Sequence, residues 1–517
     1  MTHSEVRWRR AWLPVLACGL LAACEIGSEP RRLTPTSIPP AEPARDIPPT
    51  SAPVAVRDAA PVPAAAPGHD ASPTAASTTA REAVSARVMP ARLPRTQALQ
   101  ELAERLGAPG TRVDDPCVAP DGDGCARTAL GPFFDALDAL SVGRASGPTV
   151  IEAFGNSLIA GDRIVDILRD DLGAAFGSAG RGLLLVDRMA PYGGRSRTSH
   201  SASGWQPRTL GELRAPPLPF GITGVYHVAT TAKARGRFHL DGEPKGTLWW
   251  LDVPKGGALT VSSGGQVLAK TEPTGDGAAH ATHFELPAGA TSFDVVAEQK
   301  GAVVQGVVLQ QARPGIILDM LGVPSADAGL YARVDDAMLR AQLTEREPKL
   351  MLFFLGGNES KRLEWKRMDV AKLRADLQTL LRRARAAAPA SACMVVGPMD
   401  AVSDTHGKAQ TFKQRPFLES VVSAEREIAT AEGCAFFDTF TAMGGAGSLA
   451  RFYKAGFMHD DLVHPRGRGL DLLGHLVTDA LLRAWVETPP GAGRVAALSP
   501  GTGSKTLQPA PTAEAAP

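Results

Sequence analysis

A serine, a histidine and an aspartate can cleave an ester when the histidine takes the serine proton and the carboxylate steadies the histidine. This chain offers such a set in two short runs, Gly155-Asn156-Ser157 and, near its far end, Asp461-Leu462-Val463-His464. Ser157 is a poor nucleophile unaided, and His464 is the base that can activate it. Asp461 lies within one turn of His464, so it can reach the other ring nitrogen, fix the tautomer and stabilise the imidazolium. Ser157 follows a strand-forming run, residues 149–154, and precedes a segment that reads as helix. That setting lifts the hydroxyl off a sheet edge, beside helix N–H groups able to receive negative charge. An oxyanion hole is still required. Gly356-Gly357-Asn358-Glu359 ends the predicted strand 350–355 and would put the Asn358 amide on the same sheet edge. Such a donor typically lowers the barrier by about 3 kcal/mol.

The elements that must gather these residues follow from hydrophobic periodicity. Apolar runs at 150–154, 316–320, 350–355, 393–396 and 435–437 alternate with amphipathic helical patterns, for example Val370, Leu373, Leu377, Leu380 and Leu381 on one face. Near-continuous apolar strands between helices imply a parallel sheet covered on both faces. The middle of the chain differs. Runs at 236–240, 248–253, 259–261 and 293–297 are separated by turns such as Asp241-Gly242 and Gly264-Gly265, with no helical pattern between them. They read as a β-sandwich inserted into the α/β domain. The expected organisation is a hydrolase domain over residues 95–203 and 313–487, interrupted by the sandwich over 204–312.

In this order, the three catalytic runs resemble the SGNH (GDSL-like) hydrolase family. Gly155-Asn156-Ser157-Leu158 is similar to its Gly-Asp-Ser-Leu block, Gly356-Gly357-Asn358-Glu359 to its Gly-x-Asn-Asp block, and Asp461-Leu462-Val463-His464 to its Asp-x-x-His block. The resemblance implies a flavodoxin-like three-layer α/β sandwich. It also implies ester hydrolysis through a serine acyl-enzyme, without metal or organic cofactor. Backbone N–H groups of Ser157 and of the second block, with the Asn358 side chain, would form the oxyanion hole. Asn156 and Glu359 replace family aspartates outside the catalytic roles. In Asp319-Met320-Leu321-Gly322-Val323-Pro324-Ser325-Ala326, Ser325 stands where the family's second block has glycine; Gly182 in Gly180-Arg181-Gly182 is the rival for that role. A sandwich inserted after the first block is similar to the peptidoglycan O-acetylesterases with a carbohydrate-binding-module-like insert. That resemblance implies removal of O-acetyl groups from a cell-wall glycan, or acetyl transfer among glycans.

The rest of the chain bounds these readings. Lys and Arg number 55 against 54 Asp and Glu, and no basic block suggests a nucleic-acid partner. Arg7, Arg9 and Arg10 precede a short apolar stretch, residues 11–23, that suits a secretory signal and is too short to span a bilayer. It ends in Leu21-Ala22-Ala23-Cys24, which resembles a bacterial lipoprotein signal with Cys24 lipidated. The expectation is an exported protein held to the inner or outer membrane by lipid. Residues 24–94 and 488–517, rich in Pro, Ala, Ser and Thr, read as a disordered tether and tail. Export favours disulfides: Cys117 with Cys125 across a short turn-rich loop, and Cys393 with Cys434, unless those two are buried free thiols. His459, Asp460, Asp461 and His464 lack a zinc-site spacing. Trp249 and Trp250 could stack on sugars, although adjacent strand residues face opposite ways, which puts at least one in the core. The expected function is an esterase acting on small acyl groups of an envelope glycan. The alternatives are a lipase or thioesterase-like hydrolase, a glycan acetyltransferase, and an inactive glycan-binding lipoprotein.

Overall fold

Apolar strands alternate with helices around one central sheet in the computed structural model, which describes residues 87–91, 93–122, 124–189, 198–212, 218–404 and 411–488. The signal segment, Cys24, most of the tether and the tail from 489 onward lie outside the described residues. The sheet contains β1 (Val113–Asp114), β2 (Pro148–Gly155), β3 (Gly315–Gly322), β4 (Leu350–Phe354), β5 (Ala392–Val396) and β6 (Ala435–Phe437), in the order β1-β6-β5-β4-β2-β3. Neighbours are parallel except β1, which runs antiparallel along β6. Side chains on a strand alternate between faces. Leu350, Leu352 and Phe354 accordingly enter one core with the helices Pro94–Leu106, Arg163–Phe176 and Arg468–Glu487. Met351 and Phe353 enter another with Asp336–Arg346, Val370–Ala387 and Leu418–Ala431. This is a three-layer α/β sandwich with β2, the strand that leads into Ser157, near its middle.

Between β2 and β3 the chain builds two antiparallel sheets. Besides the strands downstream of Gly204, they include Gly182–Leu184, paired with Val303–Gln310, and Ser201–Ser203, paired with Arg235–His239. The insert's two ends meet: Ala179 N–H donates to Ile316 O (3.0 Å), and Gln311 N–H donates to Ala179 O (2.8 Å).

The sandwich shares a core with the helical layer. Trp249, buried with Phe220 and Tyr226, packs in the same cluster as Met338 and Leu343, and its indole N–H donates to Glu345 Oε2 (2.8 Å). Trp250 is buried in the sandwich's own core, so both tryptophans are structural. A polar contact completes the join. Asp319 on β3 accepts from Leu183 N–H (2.7 Å) and from Arg346 Nε (2.8 Å), directly opposite Glu152 on β2. Burial, then the Asp319 charge, pushes the Glu152 carboxyl well above its usual range; Arg346 only partly offsets them. Gly182 belongs to this junction: at φ 74, a Cβ there would stand 2.0 Å from Asp319 Oδ1. Disulfides join Cys117 to Cys125 within a hairpin, and Cys393 on β5 to Cys434 just before β6.

Candidate active site

The turn that carries the candidate nucleophile Ser157 rests on two glycines. Gly155 ends β2 and Gly322 ends β3, directly opposite in register. A Cβ on Gly155 would stand 2.3 Å from Ile159 Cγ1, and one on Gly322 would stand 2.2 Å from the Ala160 nitrogen. The short helix Ser157–Ala160 can therefore cross the sheet edge only over bare backbone. Asn156 caps that helix, its side chain accepting from Leu158 N–H (3.0 Å). Beneath it, the buried Tyr331 hydroxyl donates to Gly155 O (2.6 Å) and also reaches Leu321 O. Burial raises the Tyr331 pKa, so the phenol stays neutral and remains a donor.

The candidate base, His464, arrives on a tight turn from the other end of the chain. His459 N–H donates to His464 O (2.9 Å), and Leu462 adopts a left-handed φ of 51. Ser157 Oγ lies 2.9 Å from His464 Nε2, and His464 Nδ1 lies 2.7 Å from Asp461 Oδ2. The other Asp461 oxygen accepts from the backbone N–H groups of Val463 (2.9 Å) and His464 (3.0 Å). Burial alone would raise the Asp461 carboxyl. The His464 side chain and those two N–H groups outweigh it and hold the carboxyl well below the usual carboxylate range. The relay therefore has a hydroxyl at one end and a fixed negative charge at the other.

Ser325 and Asn358 share one cleft of about 580 Å³ with Ser157, Asp461 and His464. Ser325 holds a left-handed φ of 63 just beyond β3, a conformation that non-glycine residues adopt rarely. Asn358 sits at the start of the helix Gly357–Glu364, and its Nδ2 donates to Ala326 O (2.7 Å). An amide nitrogen carries two N–H groups, so one remains for a developing oxyanion. Gly182 lies in the sandwich junction and does not line this cleft. Among the described residues, the His/Asp group close enough to share an ion is Asp252, Asp276 and His280 in the sandwich, not the His459–His464 turn.

Two supporting residues carry no sequence signal of their own. Tyr331 would have been suspected only as an aromatic with a polar tip soon after the second block. Arg415 is buried at the cleft and donates to Gly357 O (3.2 Å) and Ser360 Oγ (3.1 Å), steadying the Asn358 helix from a segment with no periodicity. Lys361 lines the cleft with its ammonium 4.8 Å from the Trp365 ring centroid, while Arg362 turns to donate to Ser325 O (3.0 Å).

The fold is that of SGNH hydrolases, and the protein is an ester hydrolase of that type. Residues 294–472 match the GDSL-like Lipase/Acylhydrolase family, a span that contains Asn358, Asp461 and His464 and starts after Ser157 and most of the sandwich. A solved peptidoglycan O-acetylesterase is similar at 19% identity and a TM-score of 0.58, over 70% of this chain and 98% of its own. At that identity the likeness is one of fold. The YxiM protein of Bacillus subtilis aligns at 12% identity and a TM-score of 0.29, over 54% of this chain and 88% of its own. TesA aligns at 21% identity and a TM-score of 0.23, over 33% and 80%. No curated protein matches the chain. No helix among the described residues is long and apolar enough to cross a membrane.

Proposed function

We propose that the protein removes O-acetyl or other small acyl groups from an acylated cell-envelope glycan such as peptidoglycan, with Ser157, His464 and Asp461 as its catalytic residues. The observation that carries this reading is the unbroken Ser157–His464–Asp461 relay at the edge of a cleft that Ser325 and Asn358 also line. Ser157 Oγ attacks the ester carbonyl while His464 Nε2 takes its proton. The oxyanion is met by the Asn358 side chain and the backbone N–H groups of Ser157 and Ser325. His464 then returns the proton to the departing sugar oxygen, leaving an acyl-serine. Water, activated by the same imidazole, releases the acid. A second sugar hydroxyl in place of water would make the reaction a transfer.

Four features support the glycan over a free lipid ester. The solved relative of similar fold is named a peptidoglycan O-acetylesterase. The inserted module is built from two antiparallel sheets, and in this reading it holds the glycan. It also bears a hollow of about 720 Å³ whose lining mixes polar residues such as Lys245, Thr247 and His283 with apolar ones such as Leu268 and Phe284. Lipidation of Cys24 would hold the enzyme on the envelope face where such glycans lie.

Turnover of p-nitrophenyl acetate by the folded part tests the chemistry. Ser157→Ala should lose about 10⁴-fold or more, and equal rates would reject the site. Acetate released from O-acetylated peptidoglycan should exceed hydrolysis of long-chain esters; the reverse order would favour a lipase, and acetyl appearing on a second glycan a transferase. Cys24→Ala should free the full chain from the membrane fraction, and retention there would reject the lipid anchor.

A further inference from the structure

The two oxyanion turns come from different parts of the chain, and one buried side chain ties them together. Glu359 is fully enclosed in the helix after Asn358. One of its oxygens accepts from Gly356 N–H (2.9 Å), in the turn that carries Asn358. The other accepts from Ala328 N–H (3.0 Å), in the turn that carries Ser325. Both donors are buried backbone groups that need a partner. Space around them is tight: Gly356 has φ 86, and a Cβ there would meet Pro398 at 2.5 Å and Glu425 Oε2 at 2.8 Å. Asn358 Nδ2 to Ala326 O adds a second tie between the same two turns. A family aspartate at this position is one methylene shorter, so the double reach belongs to the glutamate found here.

We propose that Glu359 is a positioning residue whose carboxylate fixes the separation of the Ser325 and Asn358 donors, and so sets the geometry of the oxyanion hole. This rests on the reading of Ser157 and Asn358 given above. Burial raises the Glu359 carboxyl, and the N–H groups of Ala328 and Gly356 oppose that rise; burial and then the Glu359 charge raise the neighbouring Glu425 well above its usual range. Charge-assisted bonds from two N–H groups are strong and directional. A glutamine has a single acceptor oxygen, so its NH₂ would confront one of the two backbone donors.

The test is a double-mutant cycle on p-nitrophenyl acetate. Glu359→Gln should lower kcat about tenfold or more and move KM less than about threefold, because a misplaced donor costs mostly in the transition state. In an Asn358→Ala background the same change should cost less than about threefold, since the donor it positions is gone. Equal losses in both backgrounds would overturn the proposal and leave a merely structural glutamate. Glu359→Asp, which keeps the charge and shortens the reach, carries the same comparison if the glutamine variant does not fold; its loss should be smaller and equally dependent on Asn358. Ser157→Ala separates the two claims. If that variant stays active, the site reading falls and this proposal with it; if it is dead while the Glu359 losses are additive, only this proposal falls.

Discussion

Every residue of Leu350–Phe354 in the central sheet is buried, whereas Arg235–His239 in the sandwich buries Gly236 and Phe238 and exposes the residues between. The first pattern belongs to a parallel sheet between helical layers, the second to a sheet with one wet face. The difference has a functional side. Parallel strands all end on one edge, so loops remote in sequence meet there. Ser157 after β2, Ser325 after β3 and Asn358 after β4 are three such arrivals. Antiparallel strands end at alternate edges and gather no comparable set, and no described residue of the sandwich lines the Ser157 cleft. The candidate site collects on one architecture and takes no described residue from the other.

That division is open to experiment. Phe293 is buried and its ring stacks 4.9 Å from that of Phe238 in the sandwich core. Phe293→Ala should cost about 3–5 kcal/mol of unfolding free energy by denaturant titration, with kcat per folded molecule unchanged. A fall in kcat larger than the folded fraction explains would mean that the sandwich shapes the site. Asn358→Ala should do the opposite: kcat drops about 10²- to 10³-fold with little change in the denaturation midpoint. A loss below about threefold would remove Asn358 from the oxyanion hole.

A smaller effect concerns proton linkage in the helical layer. Burial, then the Glu359 charge, raises the Glu425 carboxyl well above its usual range. The folded state thus keeps a proton that the unfolded chain gives up. Stability from this group is complete below the unfolded pKa and declines as pH rises toward the folded one. Glu425→Gln cannot ionise, so its melting temperature relative to the parent should climb as pH rises above about 4. A difference independent of pH would show that Glu425 is not titrating as its burial dictates.

Much of this was legible from the chain alone, because the informative patterns are local. A strand run ending in Gly-Asn-Ser, another ending before Asn358, and an Asp461–His464 turn each carry their own geometry. Alternating strand and helix periods then place all three on one edge. Contacts that need a distant partner were not legible. Glu359 looked like a substitution of no consequence until Ala328 was found against it. Tyr331 has no motif, since its role is to fill the space under Gly155. Gly182 resembled a block glycine because sequence could not reveal that Asp319 closes over it. The strand Gly182–Leu184 is also too short for a two-residue period to register.

The hydrogen bonds joining Ala179 to Ile316 and to Gln311 bear on how such a chain can exist at all. An unstructured loop between β2 and β3 would carry an entropy penalty that grows with its length. Here the long excursion folds upon itself and returns to where it departed, so the sheet perceives only a tight stitch. Added or deleted residues on the module's far rim alter neither that stitch nor the alignment of Gly155 with Gly322. A whole extra module can interrupt the chain between the Ser157 turn and β3 without displacing either.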